Sequence, residues 1–204
     1  MTKQIGRFVI GITGNIGAGK STVTRALAKA GAYVLDADAM ARELQAPGSE
    51  AVCAIAKEFG ARFAPEGILD RRVLADLVFD DETARVRLNM LMWPRLIEQT
   101  KRRLHGLTGV CIIDAALLIE SGLHTVCDEV WLITAPEEVR CVRIMQRDGL
   151  TQQQAWQRIK SQMPEAQKKE QADYLLDSTR GEHLLIEQAR ALYDRAVGGL
   201  YDKK

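Results

Sequence analysis

The chain has 204 residues, 47% of them hydrophobic, and its 28 Lys and Arg offset 27 Asp and Glu to a net charge of +1. That length and apolar content suit one substantial α/β core with a small appended region. The near-neutral balance excludes a global field that would draw nucleic acid or an anionic membrane, so any anion must be bound locally. Cys53, Cys111, Cys127 and Cys141 are scattered, with no C-x-x-C pair, which argues against a metal site or a disulfide framework. With no apolar stretch of membrane-spanning length and no leader before the first strand, a cytoplasmic protein is expected.

The first element is the apolar run Arg7 to Ile12, which reads as a buried parallel strand. It leads into Gly14-Asn15-Ile16-Gly17-Ala18-Gly19-Lys20-Ser21, which fits G-x-x-x-x-G-K-S. Ser21 to Ala30 then reads as a helix ended by Gly31. Strand, glycine-rich loop and helix in this order make a phosphate-binding loop. Its glycines admit backbone angles and close approaches that a Cβ would block. Consecutive amides can wrap phosphate oxygens, and the helix adds its positive end. Asn15, Gly17, Ala18, Gly19, Lys20, Ser21 and Thr22 are therefore the candidate nucleotide-binding residues. Lys20 would act as a charge on the β and γ phosphates, and the Ser21 hydroxyl as a Mg²⁺ ligand. The spacing from Gly14 is G-x-x-G-x-G, which excludes the dinucleotide fingerprint.

The second strand, Ala32 to Leu35, ends in Asp36-Ala37-Asp38. Ligands of open parallel sheets lie beyond the carboxyl ends of the strands. A carboxylate there can take the proton of an attacking hydroxyl. Asp38 is the candidate base; Asp36 either shares that work or caps the next helix. Residues 39–106 then turn helical, with apolar periodicity over Glu50–Phe59, Arg71–Phe79 and Thr83–Leu104, which suggests a lobe for a second substrate. Most of its basic residues read as solvated helix faces. Trp93-Pro94 predicts a kink or a helix start.

The third strand, Val110 to Ile113, ends at Asp114, which either lies near the Mg²⁺ or caps the next turn of chain. The fourth strand is Val130 to Thr134. Pro136 then opens a helix whose Arg140, Arg143 and Arg147 share one face, as a charge-neutralising stripe or as a solvated one. Thr151 to Gln154 resembles a capping box, and the polar stretch 149–171 suits a mobile lid or an ordinary surface helix pair. A fifth strand, Tyr174 to Leu176, and a closing helix, Glu182 to Val197, complete the chain. The predicted fold is α/β, a five-stranded parallel sheet of the P-loop kinase type. It forms a single domain with a core (1–38, 107–148, 172–204), a helical substrate-binding insertion (39–106) and a helical lid (149–171).

The whole set resembles the dephospho-CoA kinase family. Its T-G-G-I-G-S-G-K-S-T is similar to Thr13-Gly14-Asn15-Ile16-Gly17-Ala18-Gly19-Lys20-Ser21-Thr22, and its V-I-D-A-D to Val34-Leu35-Asp36-Ala37-Asp38. Leu69-Asp70-Arg71, Leu117-Leu118-Ile119-Glu120, Gln146-Arg147-Asp148 and Gln162-Met163-Pro164 resemble further family segments in the same order. The resemblance implies ATP- and Mg²⁺-dependent phosphorylation of the 3′-hydroxyl of the dephospho-CoA ribose. It implies Asp38 as base, Lys20 as phosphate clamp, Arg147 as lid arginine and Arg143 at the nucleotide. Arg71, Leu118 and Glu120 are implied at the acceptor. This chain departs from the family at Trp93, Ala116 and Ser178, which stand for its usual His, Pro and Asn. The rival readings are another small-molecule kinase of this architecture and a nucleotide-dependent switch. The D-x-x-G and N/T-K-x-D marks of a GTPase switch are both missing.

Overall fold

Five short strands, rich in β-branched and aromatic residues, pair into one sheet of order β2-β3-β1-β4-β5. They are β1 (Arg7–Thr13), β2 (Tyr33–Asp36), β3 (Gly109–Asp114), β4 (Glu129–Thr134) and β5 (Tyr174–Asp177). The computed structural model describes residues 6–202. β1 pairs in parallel with both β3 and β4, and β4 with β5. The strand order therefore reverses at β1, and the crevice beyond such a reversal is where α/β sheets bind ligands. Ile12 is in register with Asp114, and Thr13 with Leu132, so the loop leaving β1 starts beside Asp114. β2 begins one residue later than its apolar pattern predicts, because Ala32 is buried ahead of the paired segment.

The core follows from strands apolar on both faces. Ile10, Ile12, Ile112, Trp131 and Ile133 are buried together with Val23 and Leu27 of α1 (Lys20–Lys29) and Leu185 and Ala189 of α9 (Glu182–Asp202). Trp131 is fully buried; its Nε1 donates to Glu129 at 3.0 Å and its ring meets Tyr174 edge-on. Burial pushes the Cys127 thiol up to about 12, with Asp128 and Asp173 adding to it, so this cysteine is inert at neutral pH.

The chain divides into two compact units. One comprises the residues up to Leu35 and from Gly106 onward; the other is Asp36–His105. This second unit holds α2 (Ala37–Leu44), α3 (Glu50–Phe59), α4 (Arg71–Asp80) and α5 (Glu82–Leu104). Its helices start where the chain offers side-chain acceptors. Ser49, Asp70 and Asp81 cap α3, α4 and α5 by accepting amides of the first turn. Its own core is Val52, Ile55, Phe63, Leu69, Leu74 and Met92. Pro94 neither breaks nor starts a helix: α5 runs through it. The proline removes one rung of the ladder, and next to it Arg95 Nη1 donates to the Leu91 carbonyl at 2.7 Å.

Ile112 sits fully buried in the central layer. Ile112→Ala is expected to cost about 2–5 kcal/mol and to lower Tm by about 10 °C, measured by calorimetry. A fall of under about 2 °C would contradict that packing.

Candidate active site

The loop 14–19 connects β1 to α1, and its backbone shape depends on glycine. Gly17 and Gly19 have φ of 79° and 103°. A Cβ on Gly17 would lie 2.9 Å from the Arg140 carbonyl, closer than real contacts allow. Within the loop Ala18 N donates to the Asn15 carbonyl at 2.9 Å, and Thr22 N to Gly19 at 3.1 Å. Among the described residues, the amides of Gly17, Gly19, Lys20 and Ser21 donate to no acceptor. These are orphan donors at a helix N-terminus, and such groups are satisfied by an anion or by water. Among the described residues no side chain caps α1.

Lys20 is paired with Asp114, the last residue of β3, and both side chains are largely buried. The sequence left Asp114 between a place near the metal and a cap; its partner here is the loop lysine. Ser21 is exposed at the start of α1. Among the described residues no three His, Cys, Asp or Glu side chains cluster as a metal cage. Ser21 and Asp114 are oxygen donors, the ligand type that Mg²⁺ takes.

The predicted arginine stripe separates into three environments. Arg140 is buried; its Nε donates to the Ala135 carbonyl at 3.0 Å, and its backbone packs on Gly17. Arg143, expected at the nucleotide, donates to the Gly17 carbonyl at 3.2 Å, Ser178 Oγ at 2.8 Å and the Ser178 carbonyl at 2.7 Å. It joins the loop to the turn after β5, and Ser178 is the residue standing for the usual asparagine. Arg147 alone is exposed, near the C-terminal end of α6 (Glu137–Asp148). Asp148 grips it with two bonds of 2.7 and 2.9 Å and also takes Arg158 at 2.9 Å. The bond from Arg147 holds the Asp148 carboxyl below the usual carboxylate range. The pairing is thus complete at neutral pH and is lost only as pH falls through that lowered value. Arg158 was not visible as a site residue in the sequence; only its place ten residues beyond Asp148 on the next helix brings the two arginines to one carboxylate.

The stretch 149–171 is better anchored than its polar composition suggested. α7 (Gln152–Lys160) starts with the predicted capping box and buries Ala155 and Ile159 against Cys141 and Ile144. In α8 (Glu165–Lys169), Lys168 is fully buried; its Nζ donates to the Ala116 carbonyl at 3.0 Å and pairs with Glu120 at 2.9 Å. The Ala116 carbonyl also accepts from Thr13 Oγ1 at 3.3 Å. Glu120, expected at the acceptor, is thus neutralised within the protein. Leu118, also expected there, is fully buried with its methyls over Gly11, so its side chain is core and offers no surface to a substrate. Nothing in local sequence marked Lys168, since a lysine between polar neighbours reads as solvated.

In the helical unit, Asp36 Oδ1 accepts the Ala39 amide at 2.9 Å, so Asp36 is the N-cap of α2. Asp38 lies in the first turn of the same helix and is exposed. Arg71, the first residue of α4, is exposed and donates to the Arg42 carbonyl at 3.2 Å. A groove of about 610 Å³ within this unit is lined by residues that include Glu43, Pro94, Arg95 and Arg102.

Comparison with known proteins agrees with this architecture. The family model described as dephospho-CoA kinase matches residues 8–182. The chain is 43% identical over 161 residues to the dephospho-CoA kinase of Moorella thermoacetica, covering 76% of each chain. It is 39% identical over 198 residues to that of Syntrophotalea carbinolica, covering 95% of this chain and 94% of the relative. Among solved structures, the dephospho-CoA kinase from Campylobacter jejuni superposes with a TM-score of 0.68 at 24% identity, over 95% of this chain and 98% of that one. A shikimate kinase from Acinetobacter baumannii shares the fold alone, with a TM-score of 0.56 at 16% identity, over 98% of this chain and 97% of that one. With a loop of free amides, a paired lysine, a five-stranded parallel sheet and these matches, the chain belongs to the dephospho-CoA kinase family and is a kinase of that activity.

Proposed function

We propose that the loop from Asn15 to Thr22 holds the phosphates of ATP and that the acceptor is the 3′-hydroxyl of the dephospho-CoA ribose, giving CoA and ADP. The observation that carries this reading is the set of unsatisfied amides at Gly17, Gly19, Lys20 and Ser21, beside a lysine held ready by Asp114. A polyphosphate supplies the acceptors those donors lack. Lys20 exchanges Asp114 for the β and γ phosphates. Ser21, with Asp114 beside it, would hold Mg²⁺, which would supply positive charge against that of the phosphates. Asp38, two residues beyond the last residue of β2, takes the proton of the attacking hydroxyl. Arg147 neutralises charge on the transferring group, and Arg71 faces the acceptor. Arg143 acts through the loop it holds.

The rival assignment, a kinase acting on a nucleoside or nucleotide, has the same fold but lacks support in the family match. We place the reaction in the cytoplasm, independent of nucleic acid and membrane. In support, the net charge is +1, all four cysteines are free, and no helix among the described residues is long and apolar enough to cross a membrane.

Incubation with ATP, Mg²⁺ and dephospho-CoA is expected to yield CoA and ADP; faster turnover with a nucleoside monophosphate would reject the acceptor. Lys20→Ala should lower kcat/KM about 100-fold or more, with weaker ATP binding by calorimetry. Asp38→Asn should lower kcat about 10²- to 10⁴-fold while ATP affinity stays near the parent value. A variant at Asp38 that keeps most of its rate contradicts its role as base.

A further inference from the structure

Two successive residues of the phosphate loop are tied to two successive residues from the far side of the α7 helix. Ile16 N donates to Gln162 Oε1 at 2.8 Å, and Asn15 Nδ2 donates to the Met163 carbonyl at 3.1 Å. Asn15 is 4% exposed. The Ile16 side chain packs against the Cys141, Ile144, Ala155 and Ile159 cluster of α6 and α7.

The consequence lies in one peptide plane. The Asn15 carbonyl and the Ile16 amide belong to the same rigid unit. Gln162 holds its N–H end, and the Ala18 amide, at 2.9 Å, holds its C=O end. The orientation of that plane sets the turn from Asn15 to Ala18, and the turn sets where the amides of Gly17 and Gly19 sit. The arm carrying Gln162 is itself fixed: Lys168, fully buried, ties its far end to Ala116 and Glu120.

We propose that Gln162, assisted by Asn15, is a positioning residue for triphosphate binding, and that residues 161–169 brace the phosphate loop rather than move with a cover over it. This rests on the reading of the loop as the ATP phosphate site. A lost brace lets the loop sample other shapes, and ATP must then reorder it, so the effect falls on ATP binding and not on the acceptor.

The test is steady-state kinetics in both substrates on Gln162→Met, which keeps the side-chain length but not the acceptor, and on Asn15→Gly. Lys20→Ala serves as control, and Tm is recorded for each. For Gln162→Met the KM for ATP is expected to rise about tenfold, the ratio for one lost hydrogen bond of ordinary strength. Its KM for dephospho-CoA and its kcat should stay within about threefold. Asn15→Gly should shift the ATP KM in the same direction, by about threefold, and decides the matter alone if Gln162→Met does not fold. An unchanged ATP KM, with Lys20→Ala still weakening ATP, overturns the brace and leaves the loop assignment intact. An unchanged ATP KM in all three variants removes the loop assignment too. Equal losses for both substrates together with a lowered Tm mean a packing defect, and likewise overturn the brace.

Discussion

The leading amides of a helix have no intrahelical acceptor and must find a cap, a ligand or water. Four of them within five residues, at the head of α1, are the feature on which the rest of this molecule depends. The sheet order places β1 between β3 and β4, so the loop leaves the sheet where neighbouring connections diverge. β3 brings Asp114 to Lys20. A lysine held by a carboxylate is oriented before any phosphate arrives, and that carboxylate is then left beside the charged ligand.

A loop that withholds its amides from the protein must be shaped from outside. Arg143 holds the Gly17 carbonyl and reaches Ser178 after β5. The Arg140 backbone leaves no space for a Cβ on Gly17, and Gln162 and Met163 fasten the other end. Buried cations recur in this scaffold: Arg140 and Lys168 are both sequestered, and each meets one backbone carbonyl and one carboxylate. Such groups are costly to bury and strongly destabilising to break, so they fix one arrangement of the surrounding turns. The helical unit has a core and helix caps of its own.

The strands and the loop were legible in the sequence because both rest on local rules. Apolar runs such as Val110 to Ile113 have one use, and G-x-x-x-x-G-K-S encodes a backbone shape directly. The helices of the insertion were legible for the same reason, to within a residue or two. The sequence did not show side-chain commitment across long separations. Arg143 looked like part of a phosphate-facing stripe, but its partner lies 35 residues on, at Ser178. Leu118 sat in a motif of the acceptor site, yet the absent side chain of Gly11 makes room for it in the core. Lys168 is a lysine among polar residues, and only the turn after β3 makes it a buried one. Asp36 stood open in the sequence between a shared catalytic role and a helix cap; the Ala39 amide takes it as a cap.

The central claim is that the free amides and Lys20 hold the polyphosphate. It is tested most directly by a crystal structure of the protein with Mg²⁺ and a non-hydrolysable ATP analogue. The account predicts phosphate oxygens within hydrogen-bond reach of the Gly17, Gly19, Lys20 and Ser21 amides, with the Lys20 ammonium moved from Asp114 onto the β and γ phosphates. A triphosphate bound elsewhere, or those amides still without partners beside a bound nucleotide, would contradict it.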